Sequence, residues 1–542
     1  MDADMRTTTI KTFVSVLALS SLAGCTGHYL EINSNPYEVT REQMLTDGYA
    51  VGASLAAISG AVVSTDVNTA QLTDCLLGSP MGGYYSTTKN FDNTIENYNP
   101  TDDWTRVLLA SDRVIPMMNT GLKELEKMTD DPLTLAIAKV IKVTAMLRVT
   151  DTYGPIPYTK IGLDGKLAVP YDSQEAVYDA MFAELDESIA VFTENSFASI
   201  SPNADPVFDG SAVKWCRLAN SLKLRMAMRI VYADREKARR YAEEAVAHEI
   251  GVMSSNDDNA ALQAKSFGEK GNPLYEAVRY NLPDGCKTGG DSHAAADIIC
   301  YMNGYNDPRR PVYFITSEFD GIPYVGIRIR IKKPALNQWG RKYSGINLKS
   351  SDPIMWMNAA EVAFLKAEAS AVFGFNMGAG TAEDFYNEGI RLSFAQNGVG
   401  GVESYIADAE SVPSTYTDPS GMNSYAEALS SITVKWDDAA TAAEKQERII
   451  IQKWIANFHN GFEAWADVRR TGYPHLIPAT EEGNMSGGKV SSESGARRMP
   501  YPHREYSSNS ENVNYAVSNY LNGADNMATR LWWDCNPDVV IK

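Results

Sequence analysis

Cysteine is scarce in this chain, and the few cysteines are scattered. Only 6 occur in 542 residues, none in a Cys-x-x-Cys pair and none with a histidine at the spacing of metal ligands. The sequence therefore indicates neither a zinc site nor a disulfide framework. If Cys25 is consumed by a modification, the remaining set is odd in number, and one bridge stays open without an assignment.

Basic residues are also few relative to acidic ones. The 49 Lys and Arg residues face 68 Asp and Glu residues, which gives a formal net charge of -19. Residues 1–24 contain two side chains of each sign, so removing that segment leaves the net charge unchanged. A strongly acidic body repels phosphate backbones and anionic lipid head groups. We therefore expect no nucleic-acid partner and no electrostatic docking on a membrane.

Complete catalytic motifs are missing as well. Residues 248–252 (HEIGV) begin like HExxH but have valine in place of the second zinc-binding histidine, and we interpret them as a polar helix end. Residues 483–489 (GNMSGGK) match GxxxxGK, but Val490 replaces the magnesium-binding hydroxyl and no buried strand precedes them, which favours a loop. Residues 290–294 (GDSHA) lack the last glycine of a nucleophile elbow. We expect no cofactor, metal site or catalytic set.

Long apolar runs are absent except near the amino terminus. Residues 12–22 (TFVSVLALSSL) follow Arg6 and Lys11 and are too short to span a bilayer, but they have the length of a secretory signal. The sequence Leu22-Ala23-Gly24-Cys25 then resembles a bacterial lipobox, in which the cysteine is lipidated. We predict a signal peptide over residues 1–24 and lipidation of Cys25. No later stretch is expected to cross a membrane.

Helical periodicity dominates the body of the chain. Apolar residues recur at helical spacing and capping residues precede them, which predicts helices over about 132–149, 173–189, 215–230, 238–246, 359–373, 381–394 and 444–458, with one more at 38–60. Short connections make neighbouring helices antiparallel, and alanines at their contacts are typical of TPR-like stacking. Three long insertions, near 63–101, 254–355 and 398–442, are rich in Gly, Asn, Tyr and Pro and are predicted as irregular loops. Residues 324–331 (YVGIRIRI) are the best strand candidate.

A series of stretches follows the lipobox in a fixed order: DTYGPIPY from Asp151, YDSQEAVYDAMFAELDESI from Tyr171, FDGSAVKWCRLANSLKLRMAMR from Phe208, YNDPR from Tyr305, AAEVAFLKAEA from Ala359, QKWIANFHNGFEAWADVRRTGYP from Gln452 and RRMPYPHRE from Arg497. Together they resemble the SusD/RagB family of outer-membrane nutrient-binding lipoproteins. The resemblance covers essentially the whole chain after the signal peptide, so we predict one domain over residues 25–542.

The resemblance implies a mainly α fold, in which about four TPR-like helix pairs form a superhelical scaffold with long loops and little strand. It also implies a lipid anchor in the outer membrane, facing the cell surface, and a SusC-like TonB-dependent transporter as partner. The implied ligand is an oligosaccharide or a peptide, and catalysis is not implied. One departure is that Glu31 is the only acid within six residues of Cys25, whereas an acidic cluster often marks surface export.

Aromatic and amide side chains in the first insertion have the composition of a glycan site, since aromatic rings pack on sugar faces. We predict that Tyr84, Tyr85, Asn90 and Trp104 contact the ligand. The rival cluster is Tyr301, Tyr305, Tyr324 and Trp339, and ordinary loop packing is the alternative for every one of these aromatics. Trp465, Arg469 and Arg470 are interpreted as a packed cluster instead of a ligand clamp.

Two other functions stay open from the sequence. One is a lipid-anchored glycoside-hydrolysing enzyme, because carboxylates are too numerous to exclude a catalytic pair by counting. The other is a TPR-like scaffold that binds only proteins. The choice between a glycan and a peptide ligand is also open.

Overall fold

The computed structural model describes residues 48–89, 95–101, 114–161, 168–282, 284–334 and 339–539. Cys25, Asn90 and Trp104 lie outside these ranges, so the predictions for them are not tested. Residues from Gly52 onward form one unit, and Met1–Val51 group separately. The description below concerns the unit that begins at Gly52, and the domain boundary predicted at residue 25 stays a prediction.

Helices make up most of the regular structure. In chain order they are α1 Tyr49–Val62, α2 Val67–Ala70, a π-helical segment Gln71–Gly78, α3 Ser79–Met81, α4 Val114–Met128, α5 Pro132–Tyr153, α6 Gln174–Glu194, α7 Ala212–Arg229, α8 Arg235–Ala247, α9 Pro273–Val278, α10 Ala296–Gly304, α11 Arg310–Tyr313, α12 Ala359–Phe373, α13 Ala382–Gln396, α14 Val402–Ile406, α15 Ala442–Ala456, α16 Gly461–Thr471, α17 His503–Ser508 and α18 Ser510–Tyr520. Short 3-10 turns occur at Asn256–Asp258, Ala264–Ser266, Gly268–Lys270 and Gly340–Lys342.

The predicted helix starts are confirmed by their caps. The Asp131 carboxylate accepts a hydrogen bond from the Thr134 backbone N–H at 3.0 Å, and Pro132 occupies the first helical position of α5. Thr381 and Asp384 form a reciprocal capping box at the start of α13. The α5 helix ends at Gly154, whose φ of 88° is a conformation that glycine adopts without the steric cost of a side chain.

The predicted helix pairs are also confirmed, with α5 on α6, α7 on α8 and α12 on α13. Neighbouring pairs join because α6 packs on α7 and α12 packs on α15. Each helix thus buries its apolar face on the next pair, as TPR-like stacking requires. The fold class is therefore mainly α with little strand, as expected.

The first predicted insertion differs from the expectation of an irregular loop. Helical structure runs from Val67 to Met81, with a π-helical centre whose Cys75 and Leu77 are fully buried. By length and composition alone, the helical stretch Tyr49–Met81 could also cross a membrane, which corrects the expectation that no later stretch would pass this test. Core helices of soluble proteins pass the same test, and here Gly78 packs against the Phe462 ring of α16.

Strands are few and short in the described ranges. They are β1 Tyr85–Thr87, β2 Ala260–Leu262, β3 Ser292–Ala294, β4 Phe314–Ile315, β5 Gly345–Ile346 and β6 Ile354–Met357. They form three antiparallel two-stranded sheets, β1 with β3, β2 with β6 and β4 with β5. In the first sheet Tyr85 lies opposite Ala294 and Thr87 opposite Ser292, so distant segments meet at one place.

The strand predicted over residues 324–331 is wrong. Only Ile327 makes an isolated bridge, to Ala295, and Arg330 has a φ of 59° that breaks extended geometry. Isoleucine and arginine alternate here although no strand forms, because the side chains of both residue types are buried. The isoleucines pack in the core, and the guanidinium of Arg328 donates to the Pro478 carbonyl oxygen at 2.9 Å.

Trp465, Arg469 and Arg470 are confirmed as a packed cluster. The Arg469 guanidinium lies over the Trp465 ring at 3.8 Å and donates to the Asp151 carbonyl oxygen at 2.7 Å. Arg470 makes two hydrogen bonds to the Glu368 carboxylate, at 2.7 and 2.8 Å. These side chains join helices and are buried, so they are not exposed to a ligand.

Candidate ligand-binding site

Tyr84 and Tyr85, which were predicted to contact the ligand, lie inside the protein with 0% and 2% of their surface exposed. Tyr84 stacks on Trp454 with ring centroids 5.5 Å apart and donates its hydroxyl to the Trp454 carbonyl oxygen at 2.5 Å. The Tyr85 hydroxyl is hydrogen-bonded to Nδ1 of His459. In this arrangement neither ring has a free face for a sugar, and both hold β1 against the end of α15. Direct ligand contact by these two residues stays an untested prediction.

The rival aromatic cluster divides into two groups. Tyr301 and Tyr305 are buried, and their hydroxyls donate to the carbonyl oxygens of His475 and Ile432. Tyr324 and Trp339 are partly exposed. Of the eight predicted residues, these two therefore present aromatic surface in the described part of the chain.

Trp339 belongs to a surface that the fold assembles from two segments of the chain. We call Lys89, Trp339 and Arg341 the Trp339 surface. Gly340 lies directly on Thr88, where an added Cβ would meet the Thr88 Cβ at 2.7 Å. Only glycine permits this approach, which brings the backbone between Trp339 and Arg341 against the backbone that leads into Lys89. In the sequence, Lys89 directly precedes residues 90–94 and Trp339 directly follows residues 335–338, and both of these segments lie outside the described residues.

The Trp339 surface is held by contacts that fix its backbone. The Trp339 ring packs on Tyr343 at a centroid distance of 5.0 Å, and the Tyr343 hydroxyl donates to the Asp418 carboxylate at 2.5 Å. Thr288 donates its hydroxyl to the Arg341 carbonyl oxygen at 2.5 Å. A partly exposed indole on such a fixed support can receive the apolar face of a ligand without reorganising.

A buried ion pair fixes the chain below this surface. The Lys333 ammonium pairs with Glu96 and also donates to Ser86 Oγ at 3.0 Å and Thr87 Oγ1 at 2.8 Å. Glu96 in turn accepts from the Thr87 backbone N–H at 3.1 Å. The pair joins β1 to a segment far along the sequence, so no local pattern predicts it. Because every partner is satisfied, the pair orders the support without exposing a charge.

The charges of the Trp339 surface contrast with the acidic whole. Lys89 and Arg341 are partly exposed cations, and Asp291 lies 4.0 Å from the Lys89 ammonium. Burial raises the pKa of Asp291, although a hydrogen bond from Asn281 and the charge of Lys89 both lower it. The surface therefore combines an aromatic face with hydrogen-bond donors, a set that suits hydroxyl and carbonyl oxygens of a polar ligand.

The incomplete catalytic motifs have structural roles. The His248 backbone caps the end of α8, and residues 483–489 form a loop, as predicted. Ser292 and His293 are buried in β3 and offer no exposed nucleophile. Among the described residues, no group of three or more His, Cys, Asp or Glu side chains could hold a metal ion.

Comparisons with known proteins agree with one another. The family model described as "Susd and RagB outer membrane lipoprotein" matches residues 31–534. A SusD homolog from Bacteroides uniformis has 57% identity and a TM-score of 0.86, with 90% of this chain and 99% of that chain covered. A chitin-binding SusD homolog from Flavobacterium johnsoniae has 36% identity and a TM-score of 0.83, with 91% and 100% covered. No curated protein matches this chain.

Proposed function

The chain belongs to the SusD-like family of outer-membrane lipoproteins, and on that premise we propose that it is an anchored glycan-binding component of an outer-membrane importer. The Trp339 surface is the observation that supports this role most directly, because a partly exposed indole lies beside two cationic donors on a rigid support. The chitin-binding relative adds support for an oligosaccharide over a peptide. The proposal is binding and delivery without cleavage of the glycan.

Replacing Trp339 by alanine is expected to weaken oligosaccharide binding by roughly 30-fold, since a central aromatic contact is worth about 2 kcal/mol. Isothermal titration with a panel of soluble oligosaccharides, chitooligosaccharides included, measures the change. Tyr515→Ala is the matched control, because Tyr515 is 57% exposed on α18 and belongs to a different surface. Equal affinities for the wild type and Trp339→Ala would contradict the proposed site. Release of shortened glycans during the titration would instead indicate the hydrolytic enzyme.

Membrane attachment is proposed to depend on Cys25 alone. Two or more acyl chains anchor a protein stably, at about 0.8 kcal/mol for each buried methylene. Cys25→Ala is therefore expected to move the protein from the membrane fraction to the soluble fraction, as measured by immunoblot after ultracentrifugation. Cys535→Ala is the control, because Cys535 is an exposed free cysteine that is far from the lipobox in the sequence. Retention of the Cys25→Ala protein in washed membranes would point to another anchor, such as the apolar stretch Tyr49–Met81.

The proposed partner is a SusC-like TonB-dependent transporter, on which the protein would act as a ligand-delivering lid. Affinity purification of the lipidated protein from detergent-solubilised outer membranes tests this partnership. Recovery of a large β-barrel protein in constant proportion is the expected result. Recovery of the protein without such a partner, together with unchanged glycan uptake by a deletion strain, would contradict it.

A further inference from the structure

A second site is indicated by a cavity of about 560 Å³ whose lining includes His459, the hydrogen-bond partner of Tyr85. It lies where the ends of α13 and α15 meet the segment that leads into α12. Its volume falls within the range of small-molecule sites, which is about 300–1,000 Å³. The cavity is distinct from the Trp339 surface, since the two share no residue.

Amide side chains dominate the polar lining of this cavity. Seven Asn and Gln residues line it: Asn272, Asn347, Asn358, Gln396, Asn397, Asn457 and Asn460. Three of them are structural, because Asn272 and Asn358 cap helices and Asn457 bonds to Asn358 and Glu361. The other four, Asn347, Gln396, Asn397 and Asn460, have a side-chain polar atom that can still bond to a ligand. Three charged side chains, Asp74, Lys349 and Asp352, also line the cavity, and Asp74 is paired with Arg148. The amide groups among them offer both donors and acceptors.

Three of the four available amides, Asn347, Gln396 and Asn397, are each tied at one end by a hydrogen bond. The Asn397 amide N–H donates to the Ser393 carbonyl oxygen at 2.8 Å, and that of Asn347 donates to the Pro311 carbonyl oxygen at 3.2 Å. Gln396 accepts from the Asn259 amide at 3.2 Å through its Oε1 atom. The other ends, Oδ1 of Asn347 and Asn397 and the amide nitrogen of Gln396, make no hydrogen bond to the described residues. The free ends are thus held in position for a ligand.

Aromatic side chains form the apolar wall of the same cavity. Phe458 and Tyr313 stack with ring centroids 4.7 Å apart, and His459 follows Phe458 with a φ of 83°. This left-handed conformation is costly for a residue other than glycine, and such strain concentrates at functional sites. Burial lowers the pKa of His459 to about 4, so its imidazole is neutral and adds no charge to the lining.

We propose that this cavity binds a neutral sugar residue, with the small exposed edges of Phe458 and Tyr313 against its apolar side and the tied amides and His459 against its hydroxyl groups. A hydroxyl group both donates and accepts, which matches a lining that offers Oδ1 acceptors and amide donors together. A strongly charged ligand is a poor match, because the charges in the lining balance: Asp74 pairs with Arg148, and Lys349 and Asp352 have opposite signs. Tyr85 acts here as a positioning residue through its hydrogen bond to His459.

The test uses the Trp339→Ala protein, which lacks the proposed surface site, and two further changes in that background. His459→Gly suits the backbone conformation but removes the imidazole, and Asn397→Ala removes one tied amide. Asn514→Ala is the matched control, because its amide makes the same bond, at 2.8 Å, to the carbonyl oxygen four residues earlier but on the exposed face of α18. Melting temperatures establish that each variant is folded.

Saturation-transfer difference NMR with glucose, galactose, mannose and N-acetylglucosamine, each at about 10 mM, measures binding. The expected result is that at least one sugar binds the Trp339→Ala protein, that His459→Gly and Asn397→Ala each raise its Kd about 10-fold or more, and that Asn514→Ala leaves it unchanged. Absence of binding by all four sugars, or binding that both cavity variants retain, overturns the proposal. Either result leaves the proposed function standing when wild-type protein binds oligosaccharides through Trp339.

Discussion

Replacing Glu463 by alanine is expected to lower the free energy of unfolding by about 3–5 kcal/mol, because it leaves several buried cations without their partner. Glu463 lies at the start of α16 and pairs with Arg229 and, at 2.9 Å, with the Lys453 ammonium. Its carboxylate is also 3.7 Å from Arg225. Burial alone would raise the pKa of Glu463, but the charges of Arg229, Lys453 and Arg225 outweigh it and hold the pKa well below its ordinary value.

The size of this effect follows from how many helices the surrounding ion network joins. Its members come from α5, α7, α12, α15 and α16: Asp151, Arg225, Arg229, Glu361, Glu368, Lys453, Glu463, Asp467 and Arg470. All of them are buried. Charges in such a place are tolerated only while each is paired, so the loss of one carboxylate affects contacts between several helices at once.

Urea unfolding followed by circular dichroism measures the loss, with an unchanged m-value showing that the same cooperative unit unfolds. Glu403→Ala is the control, because Glu403 pairs with Arg391 on the exposed surface at 2.8 Å, where ion pairs contribute about 0–1 kcal/mol. Glu463→Gln retains the shape of the side chain and one hydrogen-bond acceptor, so we expect it to lower the free energy of unfolding by an intermediate amount. A cost below about 1 kcal/mol for Glu463→Ala would show that the network does not hold these helices together.

The helical scaffold could be predicted because its signals are local. The Asp131-Pro132 start, the Thr381–Asp384 capping box and the apolar stripes each lie within a few residues, and helices obey such short-range rules. The strand at 324–331 failed for the opposite reason. Its alternating pattern arises because buried isoleucines alternate with buried arginines. The partners of these side chains, such as the Pro478 carbonyl oxygen, lie far along the chain.

The candidate site was harder to predict because burial decides which aromatic residues can meet a ligand. Tyr84 and Tyr85 have the residue types of a glycan site, but Trp454 and His459, some 370 residues later, cover them. Trp339 was one member of a rival cluster, and nothing local distinguishes it from the buried Tyr301. The close approach of Gly340 to Thr88, which assembles the Trp339 surface, is a tertiary contact without a sequence pattern.

Acid sensitivity is expected to arise beneath the same surface, at His293 in β3. The side chain is fully buried, and burial lowers its pKa to about 4. Thr288 donates its single hydroxyl proton to the Arg341 carbonyl oxygen and therefore accepts from Nε2–H of His293, at 3.0 Å. Nδ1 then carries the lone pair and has no hydrogen-bond partner among the described residues. A backbone hydrogen bond with Ser292 favours the protonated ring, but the cost of burying the charge outweighs it.

The unfolded chain, in which histidine has a pKa of about 6.5, therefore takes up this proton before the folded protein does. The stabilising contribution of neutral His293 to the free energy of unfolding is fully present above pH 6.5 and is lost as the pH falls toward 4. Between about pH 7 and pH 4.5 it amounts to about 2–3 kcal/mol of unfolding free energy.

In urea unfolding at these two pH values, His293→Gln is expected to reduce the loss on acidification by that amount, whereas His475→Gln, which changes an exposed histidine, leaves the loss unchanged. An equal loss in the wild type and His293→Gln would place the acid sensitivity elsewhere.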